Sequence, residues 1–261
     1  MRLVHTLHHF PWEIAPCAGL AAASQDAHEA RGRGDVVTQL ETLNRVDHAD
    51  LRMRTGLEGS YPHFVPIVVG EFPAAASCCP IFFAKDASTG QFYAAALFGF
   101  EPGELLVEGA ERGDAVFRPL ELQRQGFHLS DDNISIDINH LRFNGGTAAL
   151  FEAGEPSDTL RRIQRVLGEL HAGFEATRAF VRELLALKLV EPVDITLSFD
   201  DGSSLTLDGL YTVSRDALAE LDDSAITALF RNGHLQAALC MSFSLNQVAV
   251  LASKRNRRLA E

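Results

Sequence analysis

The chain has 261 residues, with 23 Lys and Arg against 35 Asp and Glu, a formal charge of −12 at pH 7 with neutral histidines. That acidic excess argues against nucleic-acid binding and against docking on anionic lipid, both of which need basic charge. With 46% hydrophobic and 22% charged residues, it has the composition of an ordinary soluble globular protein, long enough to bury a core without staples.

Residues 1–36 read as a flexible tail, with His5, His8 and His9, an alanine-rich patch and the string ARGRGD. Arg2 and the apolar stretch after it imitate a secretory leader, but the histidines, Pro11 and Glu13 interrupt the apolar run, so a cytoplasmic location is expected. Arg-Gly-Asp at 33–35 is taken as chance. No run reaches the roughly 18–20 apolar residues of a membrane span. Of the four cysteines, Cys17, Cys78, Cys79 and Cys240, none forms a CxxC, so structural zinc is not expected. Cys78 and Cys79 lie in an apolar run, and as strand neighbours they point to opposite faces, a poor metal clamp and a poor disulfide pair.

Residues 37–155 look β-rich. VPIVVGEF (65–72) and PIFFAKD (80–86) are short runs of β-branched and aromatic residues. Asp86-Ala-Ser-Thr-Gly90 marks a turn before QFYAAALFGF, so 80–86 and 91–98 are expected to pair as a hairpin. ELLVEG (104–109), AVFRPLEL (115–122) and ISIDIN (134–139) are further strand candidates. The period then changes. Ser157-Asp158 offers an N-cap, and Leu160, Ile163, Val166, Leu167 and Leu170 recur at helical spacing. A second helix is expected over roughly 174–189, followed by a hairpin turning at Asp201-Gly202. Short helices begin at Ser214 and Asp222, and a last apolar helix spans roughly 235–252. The pattern predicts an α+β fold: a mainly antiparallel β-rich N-terminal half packed with a helical C-terminal half carrying one β-hairpin. The boundaries are a tail at 1–36, a single domain at 37–253 and a basic tail at 254–261.

Several strings, in order, resemble the bacterial SapC family: LNRVDHADLRM (43–53), VVGEFPAAASCCPIFFAKDASTGQFYAAALFGFEPGELL (68–106), FRPLELQRQGF (117–127), LFEAGEPSDTLRRIQRVLGEL (150–170), DGSSLTLDGLYTVSRDAL (201–218) and NGHLQAALCMSFSLNQV (232–248). The family is named after proteins encoded with a surface-layer system. Other members neighbour halogenase-like, cupin-like hydroxylase and TonB-dependent receptor genes. The resemblance implies a fold and a setting, and no reaction. The sequence departs from the family pattern where a late "AHxxSL" string reads Cys240-Met241-Ser242-Phe243-Ser244-Leu245, placing Met241 at a histidine position. It also departs at Arg112–Val116 and at Gln123–Phe127.

Candidate chemistry is sparse. His48-Ala-Asp50 on a strand would put two ligands on one face, and with His128, His140 or His234 would make the facial triad of a non-haem Fe(II) oxygenase. The plainer reading of His48 is a hydrogen-bonded structural histidine. Glu71, between apolar neighbours, is expected to be buried, either paired with Arg52 or Arg54 or poised as an acid or base. Asp131-Asp132-Asn133 and Asp137 near His140 read as a solvated turn. Asn144-Gly145-Gly146-Thr147 lacks the P-loop lysine and the GxGxxG spacing, and no GxSxG occurs. Phe totals 17 against one Trp and three Tyr, a composition for core packing or an apolar groove that takes a peptide or protein. The expected function is therefore an accessory protein without a cofactor that recognises a peptide or protein partner, with Glu71 and His234 as candidate binding residues. A homodimer is compatible with this. The alternative is an Fe(II) oxygenase built on His48 and Asp50.

Overall fold

The computed structural model describes residues 40–56, 62–107, 117–130 and 133–260. The N-terminal tail, Cys17, the Arg-Gly-Asp string, Asp131 and Asp132 lie outside the described residues. In chain order the strands are β1 (Leu40–Thr42), β2 (Arg52–Met53), β3 (Phe64–Pro66), β4 (Ile81–Lys85), β5 (Phe92–Leu97), β6 (Phe127–Ser130), β7 (Asn133–Asp137), β8 (Ala148–Ala149), β9 (Phe151–Glu152), β10 (Glu155–Pro156), β11 (Val190–Ser198) and β12 (Ser204–Val213). The helices are α1 (Phe72–Ala75), α2 (Leu120–Gln123), α3 (Asp158–Ala186), α4 (Arg215–Ala219), α5 (Asp223–Arg231), α6 (His234–Ser244) and α7 (Asn246–Leu259). The fold is α+β, with antiparallel sheets through the N-terminal half and most helices in the C-terminal half.

Two hairpins build the main sheet. β4 and β5 pair through the Asp86–Gly90 turn, as their flanking turn residues dictate. β11 and β12 pair from Val190↔Val213 to Ser198↔Ser204. The two hairpins join where Leu210 and Tyr211 of β12 lie opposite Ala84 and Phe83 of β4, giving the order β11-β12-β4-β5-β3. A smaller three-stranded sheet, β1-β7-β6, stands apart.

One expected strand is cut short, and two others do not form among the described residues. The run 65–72 leaves β3 at Pro66 and turns into a 3-10 turn (Val69–Glu71) and α1. Pro73 sits in the first turn of α1, where its missing N–H does no harm. Glu104–Val107 is irregular backbone that buries Leu105, Leu106 and Val107. Residues 117–119 belong to no strand, and α2 follows Pro119. Cys78 and Cys79 are also not strand neighbours. They lie in the turn after α1, which brings their sulfurs to 3.5 Å.

Helix α3 is one unbroken rod of 29 residues, about 43 Å long. Two helices separated near Gly173 were expected. The Ser157 hydroxyl caps its start by accepting from Leu160 N–H at 3.2 Å. Gly173 lets the 3-10 turn press on the helix, since a Cβ there would come within 2.5 Å of a Val68 methyl. Thr177 Oγ1 completes the junction by accepting from Val69 N–H at 2.8 Å and donating to Gly173 O at 2.7 Å.

The N-terminal half of α3 buries Leu160, Ile163 and Leu167 with Met53, Phe127, Ile136 and Leu150. Its C-terminal half buries Phe180, Val181 and Leu184 in the main core. There Phe180 meets Phe72 and Phe83 with ring centroids 5.8 and 5.9 Å apart. α6 packs on β4 and β12, and the buried Ser244 hydroxyl accepts from Ile81 N–H at 2.8 Å.

Candidate functional site

A two-lobed cleft runs along α3. The first lobe, about 670 Å³, is lined by Glu71, Ala74, Phe117, Arg118, Glu169 and Gly173 among others. The second, about 460 Å³, is lined by Arg118, Arg142, Arg162 and Arg165 with Asp158 and Thr159, and has a partly apolar wall of Met53, Ile163 and Val166. Arg118 and Gln123 belong to both lobes.

Glu71 is buried, as expected, but no arginine pairs with it. Its Oε2 accepts from Val68 N–H and its Oε1 from Leu120 N–H, each at 2.9 Å, so one carboxyl ties the 3-10 turn to the start of α2. Burial raises its pKa to about 7, against the opposing pull of these two backbone donors. Arg54, one of the expected partners, instead donates from Nε to Asn144 O at 2.7 Å, and Arg52 donates to Thr147 O at 3.0 Å.

The arginines of the second lobe are held differently. Arg142 is buried, 6% exposed, and bonds only neutral carbonyls: Nη1 to Gln123 O at 2.6 Å and Gln125 O at 2.9 Å, Nε to Arg54 O at 3.3 Å. Burial pulls its pKa down to about 10, and neighbouring Arg118 pushes the same way. Arg118 Nε is buried without a hydrogen-bond partner. This lobe had no signal in the sequence, because its arginines come from α3, the 3-10 turn Leu141–Phe143 and the segment before α2.

The expected metal ligands do not assemble. Residues 45–50 form turns rather than a strand, so His48 and Asp50 lack the shared face of alternating strand residues. His48 is buried, its Nδ1 accepts from Asn44 N–H at 3.2 Å, and its Nε2 faces Glu41 at 3.5 Å. Asp50 is exposed. His140 Nδ1 accepts from Arg142 N–H at 3.1 Å, and His128 lies on β6. Among the described residues no three His, Cys, Asp or Glu side chains group to hold a metal. These residues do not fit an Fe(II) triad. His234 sits at the other end of the molecule's long helix, bonded through Nδ1 to Glu183 Oε2 and packed edge-on against Phe180 at 5.4 Å. Glu71 lines the cleft; His234 does not.

Met241 is fully buried in the main core, a site where an unpaired charge is costly and a thioether packs well. Gly146 likewise has a packing role, since a Cβ there would lie 2.2 Å from the backbone of Met53.

α6 and α7 differ from the expected core helix. Leu245 keeps helical geometry, so His234–Leu259 is nearly continuous. By length and composition alone this stretch is apolar enough to cross a membrane, a test that the core helix of a globular protein also passes. Its inward side, with Ala237, Ala238, Met241, Ser244, Val248 and Leu251, is buried in the protein. Its outward side carries Leu239 (37% exposed), Phe243 (56%) and Val250 (43%), while Phe230 of α5 is 72% exposed. Gln236, Leu239, Phe243, Asn246 and Val250 repeat at alternating three- and four-residue spacing, the spacing of a helix-packing seam. The basic end belongs to α7, which continues through Leu259. Arg255 lies 4.5 Å over the Phe199 ring and donates to Glu101 at 2.8 Å.

This is an α+β protein with a cleft along one long helix and an apolar stripe on another. The chain belongs to the SapC family, whose profile matches residues 43–251. No curated protein and no solved structure matches it.

Proposed function

We propose that the chain is an accessory protein that recognises a protein partner through the outward stripe of α6 and α7, in a surface-layer, uptake or peptide-modification system of the kind associated with its family. The observation that carries this reading is the exposure of Leu239, Phe243 and Val250 at helix-packing spacing along one face of α6 and α7. Scattered exposed apolar residues are ordinary, but large side chains aligned on one helix face offer an amphipathic helix or segment a surface to bury. Asn246 within the stripe supplies a polar position that fixes register, as single polar residues do in paired helices.

The test places a photo-crosslinking amino acid at position 243 or 250 in the full chain in its native cells, with Asp208 as an exposed control position. The reading predicts one identified protein crosslinked from both stripe positions and not from 208, and lost in Phe243→Ser. Self-crosslinking replaces this reading with a homodimer. Equal crosslinking from all three positions, or none, ends it.

A further inference from the structure

The second lobe of the cleft is a cationic site with no counter-ion among the described residues. Arg118, Arg142, Arg162 and Arg165 line it, and among the described residues none of the four makes an ion pair. The one acid in its wall, Asp158, is taken by Arg161 at 3.1 Å. The nearby carboxyls of Glu71 and Glu169 face the other lobe. In a chain of net charge −12, such a cluster is not background. A buried guanidinium bonded only to neutral carbonyls, beside a second guanidinium with a buried unpartnered N–H, is costly unless an anion completes it. The first turn of α3 adds to this: Thr159 lines the lobe, and the amino end of a 29-residue helix favours negative charge.

We propose that this lobe binds a small phosphorylated organic molecule, its phosphate held by Arg118, Arg142, Arg162 and Arg165 and its organic body against Met53, Ile163 and Val166. Planar guanidinium forks match phosphate oxygens two at a time. An excess of several positive charges suits a multiply charged phosphate better than a single carboxylate. A volume of about 460 Å³ is enough for a metabolite-sized ligand. The site is separate from the stripe on α6 and α7, so it stands or falls independently of the partner reading.

Calorimetric titration of the full chain at physiological ionic strength tests it with inorganic phosphate, pyrophosphate, phenyl phosphate and citrate as probes. Saturable one-to-one binding of phenyl phosphate or pyrophosphate, tighter than citrate, is expected. The double variant Arg162→Gln/Arg165→Gln should weaken it by about ten-fold or more. Both arginines are exposed, so circular dichroism should show the fold intact. Arg182→Gln, an exposed change farther along α3, should leave binding unaltered. Failure of the wild type to saturate, citrate binding as tightly as the phosphates, or equal losses in the double variant and Arg182→Gln would each overturn the proposal.

Discussion

Glu71 holds its carboxyl where the fold prefers a neutral acid. Its pKa rises from 4.5 to about 7, chiefly through burial. A raised folded-state value means that the stabilisation is complete below about pH 4.5 and is lost as pH climbs through 7. Glu71→Gln removes that window. Urea unfolding near pH 5 and near pH 8 should show wild type losing on the order of 2 kcal/mol more stability than the variant over that range; parallel losses would refute it. Gly173 gives a steric counterpart. Gly173→Ala forces a Cβ against Val68 and should cost about 1–3 kcal/mol, read from the denaturation midpoint at unchanged slope. His48 was legible as a histidine near an aspartate but not as a turn residue. Whether Nδ1 faces a metal or a backbone N–H depends on the loop around Asn44, which the string HAD does not encode. Metal analysis of His48→Ala should match wild type, while its melting temperature falls. Iron bound stoichiometrically to wild type and lost in the variant would contradict this geometry.

At the scale of elements, what local chemistry dictates was legible. Turn residues between short apolar runs foretold both hairpins, and Ser157, Ser214 and Asp222 foretold helix starts that their side chains do cap. What failed was reading a short apolar run as a strand. Ile67, Val68, Phe72 and Leu105 to Val107 are apolar and buried, and burial in irregular backbone leaves the same composition as burial in a sheet. The break expected near Gly173 was absent because glycine there answers to the 3-10 turn packed on it, not to the helix itself. The basic end of α7 also packs against the rest of the protein. Arg255→Ala removes a ring contact with Phe199 and the bond to Glu101, and should cost about 1–2 kcal/mol. A double-mutant cycle with Phe199→Leu should show coupling, and strict additivity would mean the ring contact contributes nothing.

Across the whole molecule, the two sequence halves are interleaved. β12 pairs with β4, and α3 is buried in two hydrophobic clusters at once. Fragments 37–150 and 151–261 expressed separately should therefore each lack a cooperative unfolding transition, whereas the mixture should regain one. An independently folding fragment would show that the halves are separate units.

The α+β class, both hairpins, the capped helix starts and the family follow from the chain alone, because periodicity, capping and turn chemistry act over a few residues. The tertiary structure decided everything that touches function. Glu71 meets Leu120 across 49 residues and Ile81 meets Ser244 across 163. The four arginines converge from three separate segments, and α6 turns Phe243 outward while burying Met241. Such encounters depend on how elements pack, and no local pattern of residues records which side chains a distant segment will bring to them. The charge of −12 is a sum over the whole chain; folding gathers a cationic lobe within it because packing, not composition, sets which charges face one another.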